Sequence, residues 1–462
     1  MFKINFNEPI HIHFIGIGGI SMSGLAEILL KENFKISGSD RSASSMTEHL
    51  VNSGANVTIG QKAENITDDI DLVVYTAAIH PDNEEFQAAK EKQIPMMSRA
   101  CLLGQMMKNY EIPIAVSGTH GKTTTTSMIS EVLMKADLDP TITVGGILES
   151  IGGNIRVGHS PVFVTEACEY TNSFLEFFPA ISIILNVEED HMDFFHNIDE
   201  IRTSFHKFAK KLPDNGLLVI NGDIEGLPAI TSDLSCRIKT FGLEHDCNYM
   251  AKNITFNALG NGSYDLIVDG KPSFHVELSI PGVHNILNSL SAIAVAFELA
   301  IPEEQIKAGL FAFGGTKRRF EYKGKLKNDI TIIDDYAHHP TEIKATLTSV
   351  KNYPHRELWC VFQPHTYTRT KAFLHDFAEA LSQADHVLLL DIYAAREKDT
   401  GEVSSKDIFN LLKEEYHADV FYEPSFEKAK QFLMTHCQGE DLILTMGAGN
   451  VVDLGEELLS EC

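Results

Sequence analysis

The stretch IAVSGTHGKTTTTSMIS, residues 114–130, decides how the rest of the chain is read. A short apolar run at 112–116 leads into a glycine-bounded loop, and a helical pattern follows as far as Lys135. Glycines let backbone N–H groups turn toward an anion, and the start of the next helix adds a positive dipole end. Gly118, Thr119, His120, Gly121, Lys122, Thr123 and Thr124 are therefore the expected cradle for the phosphates of a nucleotide. Lys122 is placed to reach the β- and γ-phosphates, and the Thr123 hydroxyl to bind Mg²⁺. The spacing is G-x-x-G-K-T, tighter than the general phosphate loop, whose first glycine position is here Val116.

Upstream, IHIHFIGIGGISMSG (10–24) repeats the strand, glycine turn and helix on a second pattern. Another short strand at 34–37 ends in Gly38, Ser39 and Asp40, and an apolar run at 71–75 precedes Thr76. Strands alternating with helices argue for βαβ units and a parallel sheet. Gly16 and Gly18 fit a dinucleotide fingerprint, but Ser21 stands at the third glycine position, and Asp40 lies near the expected ribose site. On these residues alone NAD and UDP are equally admissible, with a purely structural turn as the lesser alternative.

Downstream, strands are expected at 161–165 and 181–187, strands and turns at 248–278, and a helix at 282–299. Gly314 and Gly315 lead to the basic run Lys317, Arg318 and Arg319. Strands at 330–333, 358–362, 386–390 and 441–445, separated by helical patterns, make a further Rossmann-sized sheet. The predicted class is α/β with three domains: Rossmann-like at 1–107, a central P-loop ATPase-like mixed sheet at 108–316, and Rossmann-like at 317–462.

Composition narrows the function classes. With 38 Lys+Arg against 64 Asp+Glu, the formal charge of −26 argues against a nucleic-acid or anionic-membrane binder, which needs a dense basic face. A 44% hydrophobic content excludes wholesale disorder. Seven scattered cysteines without a C-x-x-C pair read as reduced thiols, and no apolar run approaches the roughly 18–20 residues of a membrane span. A cytoplasmic protein without membrane insertion is expected.

The compact GTHGKTTTT loop resembles that of the ATP-dependent Mur ligase family. The likeness extends over essentially the whole chain: the 16–26 glycine loop, NVEEDHMD (186–193), PGVHNILN (281–288), 315–320, DDYAHHPTE (334–342), QPHTYTRT (363–370) and GAGN (447–450) occur in the family's order. The resemblance implies ATP-dependent joining of L-alanine to the lactyl carboxylate of UDP-N-acetylmuramate, with transfer of a recycled tripeptide to the same nucleotide as the alternative. It implies small-molecule substrates, no nucleic acid, and a monomer or homodimer.

The same resemblance distributes roles. Gly16, Gly18, Gly19, Ser21, Ser39, Asp40, Thr76 and His80 would bind the UDP substrate. Asn285 and Asn288 would read the adenine, Arg319 the phosphates and Asp335 the ribose of ATP. Thr123, Glu166 and His191 would hold Mg²⁺. Tyr336, His365 and Arg369 would receive the amino acid, with Lys122, His191, Arg319 and His338 catalytic. On chemistry alone, Asn285 and Asn288 read equally as helix-capping amides, and His191 as a surface histidine. His338 and His339 lack the further ligands of a zinc site. The sequence departs from the family pattern at Cys168, where Asp is common, and at Thr366, where many relatives carry Arg.

Overall fold

The structure, a computed structural model, describes every residue except 1, 77, 193, 328, 396, 461 and 462. The chain forms two compact units: Met1–Gly118 with Leu133–Val187 and Arg202–Lys239, and Thr119–Val132 with Glu188–Ile201 and Thr240–Cys462.

The first unit opens with a five-stranded parallel sheet in the order Asn56–Ile59, Lys35–Asp40, His11–Ile15, Leu72–Tyr75, Met96–Ser98. The strand order reverses beside His11–Ile15, so the loops after it and after Leu72–Tyr75 flank a crevice of the kind that takes ligands in doubly wound sheets. Helix Ile20–Lys31 buries Met22, Leu25, Ala26, Ile28 and Leu29. Hydrophobic burial therefore fixes the helix start just beyond the glycine loop.

The rest of this unit includes a run of six neighbouring strands from a larger sheet, ordered Leu217–Asn221, Ile181–Ile184, Ile112–Ser117, Val162–Glu166, Thr141–Leu148, Gly153–Arg156. All its pairs are parallel except the last. Strands covered on both faces read as continuous apolar runs, and LLVIN and ISII do so. Ile114, Ala115 and Val116 are fully buried, so the loop at 118 leaves from a rigid central strand.

In the second unit, Tyr249–Phe256, Asn261–Val268 and Lys271–Pro281 form an antiparallel meander, followed by helix Val283–Glu298. Its other sheet runs Glu321–Lys325, Thr331–Asp335, Leu442–Met446, Leu358–Phe362, His386–Leu389, Asp419–Tyr422. The first pair is antiparallel and the others are parallel. Ile333, Phe362, Leu444 and Phe377 pack one face, and Ile332, Val361, Ile443 and Leu454 the other. Buried Asp441 is paired with Arg356 at 2.8 and 3.0 Å and accepts from the Trp359 indole at 3.3 Å.

The α/β class and parallel-rich sheets agree with the sequence reading. Several strands escaped it. Glu321–Lys325 (EYKGK) is a charged edge strand, and charge at an edge blocks further pairing while erasing the hydrophobic signal. No helix among the described residues is long and apolar enough to cross a membrane. The six described cysteines are all free.

Gly104 shows how tightly the first unit is packed. A Cβ placed there would lie 2.0 Å from the Glu176 carbonyl oxygen, whereas one on Gly153 would meet nothing within 4 Å. Gly104→Ala should cost about 1–3 kcal/mol through overpacking, while Gly153→Ala should stay within about 0.5 kcal/mol. Chemical denaturation followed by circular dichroism checks the pair; equal stability of the two variants would contradict the packing described.

Candidate active site

In the first unit, the glycine loop is built around Asp40. Its Oδ2 accepts the Gly18 N–H at 2.9 Å, and the Gly16 and Ile17 N–H groups bond the Ser39 carbonyl at 2.8 and 2.9 Å. A Cβ on Gly18 would sit 2.9 Å from that same Asp40 oxygen, so only glycine permits the approach. Asp40 thus braces the loop as well as standing at its rim. The Ser39 hydroxyl donates to buried Glu85 at 2.5 Å, and Asn65 donates to the other carboxylate oxygen.

Ser21 accepts from Arg99 at 3.1 Å. Burial lowers the Arg99 pKa, so this guanidinium is partly stripped of water. The Thr76 hydroxyl accepts the Ala78 N–H at 2.9 Å. His80 lines a pocket with Arg41, Gln61, Ile79, Asp82, Asn83 and Glu84. The residues expected to bind UDP therefore fall at one edge of the first sheet, around Gly16–Gly19, and in a polar pocket that includes His80. Glu166 ends its strand and accepts the Gly145 N–H at 2.5 Å.

In the loop of 118–123, Gly118 and Gly121 both take positive φ, 146° and 81°, conformations that side chains resist. Helix Lys122–Lys135 starts directly after. The Lys122 ammonium folds back on the Thr119 carbonyl at 3.0 Å, and the Thr119 hydroxyl accepts the Glu188 N–H at 3.0 Å. Thr123 is buried in the first helical turn.

Around this loop, inside the second unit, lies a charged network. His120 Nδ1 is 3.2 Å from Glu342 Oε1, and its Nε2 is 3.5 Å from Glu188 Oε2. Burial opposes a charge on His120, but the two carboxylates override it and push its pKa up to about 9. His120 is an imidazolium at neutral pH. Burial likewise opposes ionisation of Glu342, yet His338 and His120 hold it well below the usual carboxylate range.

Burial drives His339 the other way, down to about 4, with the His120 charge reinforcing it. Its Nε2 lies 3.0 Å from the Glu189 carbonyl and its Nδ1 accepts the Thr341 N–H at 3.3 Å. His120, Glu188 and His339 offer ligand atoms within 4.8 Å of one another. Both His339 nitrogens are engaged within the protein, and the three residues meet as a tightly coupled group of ionisable side chains.

A second ion pair holds Arg369, one of the residues expected to receive the amino acid. Arg369 donates to Asp190 Oδ1 through Nε at 3.3 Å and a terminal nitrogen at 3.0 Å, and touches His365 Nδ1 at 3.3 Å. Asp190 is buried, and Arg369 leads the cations that keep it ionised. Thr366 occupies the left-handed region (φ 66°) and its hydroxyl accepts the Arg369 N–H at 3.4 Å. It starts the short helix that carries the arginine. Next to Asp190, the His191 backbone is left-handed at φ 54°. Tyr336 carries two guanidinium groups against its ring, Arg318 at 4.8 Å and Arg319 at 5.2 Å from the centroid.

Three expected ATP residues have internal partners. Asp335 accepts from the Phe320 and Ala337 N–H groups at 3.0 and 2.7 Å, and burial raises its pKa to about 6. Asn285 donates to the Pro281 carbonyl at 2.7 Å, and Asn288 to Asn285 at 3.1 Å. Neither asparagine caps the helix, whose N-cap is Gly282. Arg318 is committed to the Gly447 and Gly449 carbonyls at 2.8 and 3.0 Å.

The sequence reading overlooked Glu188, Asp190, Glu342 and Arg99. The first three lie inside NVEEDHMD and DDYAHHPTE, beside histidines that drew the attention, and carboxylates on an acidic chain carry no signal of their own.

Three family descriptions match the chain: the Mur ligase family catalytic domain at residues 11–111, the Mur ligase middle domain at 116–296 and the Mur ligase glutamate ligase domain at 318–449. A UDP-N-acetylmuramate–L-alanine ligase of Agathobacter rectalis is 57% identical over 461 residues, covering 100% of both chains. An enzyme of the same name from Caldanaerobacter subterraneus is 51% identical over 99% of each. The crystal structure of UDP-N-acetylmuramate-alanine ligase from Thermotoga maritima superposes with a TM-score of 0.81 at 29% identity, over 98% of this chain and 99% of that one. A murein peptide ligase from Psychrobacter arcticus gives 0.71 at 25% identity over 98% of each chain. The chain belongs to the Mur ligase family.

Proposed function

We propose that this protein is the ATP-dependent ligase that joins L-alanine to the lactyl carboxylate of UDP-N-acetylmuramate, the first step of the peptidoglycan stem peptide. The observation that carries this is 57% identity over the entire chain to an enzyme of that activity. Domain limits near 107 and 316, a cytoplasmic location and a monomer or homodimer complete the reading.

The reaction runs in two steps. The substrate carboxylate attacks the γ-phosphorus, forming an acyl phosphate and breaking the bond to ADP. The alanine amine then attacks the acyl carbon, and inorganic phosphate leaves with the bonding pair. Phosphoryl transfer needs positioning and charge neutralisation more than covalent help. Lys122, at the helix start, swings from the Thr119 carbonyl to the phosphates. The His120 imidazolium and Arg319 add positive charge that is already oriented.

The Thr123 hydroxyl and the Glu166 carboxylate each offer the kind of oxygen that a hard cation such as magnesium prefers, whereas His191 offers a nitrogen less usual for it. When bound, magnesium neutralises phosphate charge. His338 is the base we assign to the amine. Its Nδ1 lies 3.0 Å from the Tyr336 carbonyl, which fixes the proton there and leaves Nε2 as the basic nitrogen. Arg369, shared with Asp190, meets the alanine carboxylate.

The likeness to a murein peptide ligase supports a second reading, in which a peptide replaces alanine. Mass analysis of product with ATP, Mg²⁺, UDP-N-acetylmuramate and equimolar L-alanine and tripeptide separates the two. The alanine adduct should dominate; a strong tripeptide preference would reverse the assignment. In the same assay Lys122→Ala should lower kcat on the order of 10²–10³-fold or more, and a variant at full rate would remove the phosphate loop from the mechanism.

A further inference from the structure

Glu342 is the point where the groups of the second unit converge. One carboxylate oxygen, Oε2, caps the helix Pro340–Val350: it accepts the His338 and His339 N–H groups at 3.1 and 3.3 Å and lies 3.2 Å from His338 Nδ1. The other oxygen does something a cap does not need. Oε1 faces His120 Nδ1 at 3.2 Å and an Arg319 terminal nitrogen at 3.8 Å. The side chain is only 13% exposed, so these pairings are shielded from water. His120 is held on its other nitrogen by Glu188, which in turn accepts from the Thr341 hydroxyl at 2.8 Å.

We propose that Glu342 is a positioning residue for phosphoryl transfer: it fixes His120 of the phosphate loop, Arg319 and His338 in one arrangement without itself touching substrate. This rests on the reading of the loop as the ATP site. A helix cap alone would be satisfied by any acceptor. The second oxygen makes sense only as a counter-charge that sets the direction of two cations before the nucleotide arrives. It also keeps those cations from repelling each other.

Glu342→Gln tests this, because glutamine keeps one oxygen for the cap and presents an N–H₂ group to His120 and Arg319. The expected result is a fall in kcat of about 10- to 100-fold, a KM for UDP-N-acetylmuramate within about two-fold, and a lowered thermal midpoint, since one partner of a shielded ion pair is lost, with the far-UV circular dichroism of the folded protein retained. His120→Asn breaks the same pairing from the loop side and leaves the helix cap intact. Residues that act as a unit are non-additive, so the double variant should be no more than about two-fold slower than the worse single one. Multiplying losses, or full kcat in either single variant, would overturn the proposal. Should Glu342→Gln not fold, Glu342→Asp, which keeps the charge but withdraws it from His120 and Arg319, decides by the same fall in kcat, and full kcat there overturns the proposal. Lys122→Ala run alongside keeps the two ideas apart. Full activity there defeats the phosphate-loop reading, whereas an inactive Lys122→Ala beside a fully active Glu342→Gln defeats only this inference.

Discussion

Parallel strand pairing is the constraint from which the rest follows. Neighbouring parallel strands end at the same edge, so the loops that leave them are gathered there whatever their sequence separation. Ile15 lies opposite both Ser39 and Tyr75, which brings the glycine loop, Asp40 and Thr76 to one rim. Val116 lies opposite Glu166, and Ser117 opposite Ile184. Asp335 lies opposite Met446, which lies opposite Phe362, so the turn at 336, the GAGN loop and the QPHTYTRT loop share an edge. Chemistry is placed by hydrogen-bond register, and the apolar strands exist to hold that register.

An acidic chain that handles anions needs its cations to be local and already oriented. The charge of −26 is spread widely, yet His120, Arg318, Arg319 and Arg369 each have a named counter-group: Glu342 and Glu188, Asp334, Glu342 again, and Asp190. A buried cation without such a partner would lose its proton or stay hydrated. With the partner it keeps its charge in a dry setting, where an incoming phosphate feels it strongly. On the proposed function, the carboxylates beside these cations are part of the apparatus for binding anions.

Strand–loop–helix units were legible from sequence wherever an apolar run met a glycine turn, as at 112–121 and 10–19. Helix Lys122–Lys135 and strand Leu358–Phe362 fell where the pattern put them. Edge strands such as Glu321–Lys325 did not show, because solvent on one side removes the pattern that reveals a strand. The histidines of the site were visible as residues but not as states. Nothing in HH distinguishes His338 from His339, though His338 turns to the carbonyl of Tyr336 beside it and His339 to the distant carbonyl of Glu189, where burial lowers its pKa. Protonation is decided by neighbours distant in sequence: 222 residues separate His120 from Glu342. A linear reading has no access to that.

The pairing of Arg369 with Asp190 carries a consequence for selectivity. An arginine that waits solvated must shed water when its ligand arrives, and the new contact then reflects the whole gain of a buried pair. Here the guanidinium has shed that water already, and its fork is filled by a resident carboxylate. On the role proposed for Arg369, an arriving amino acid would share or exchange that partner instead of creating a pair from nothing. Every amino acid brings the same carboxylate to this exchange, so the step is nearly indifferent to which one comes. Discrimination among them would then be left to whatever surrounds the side chain.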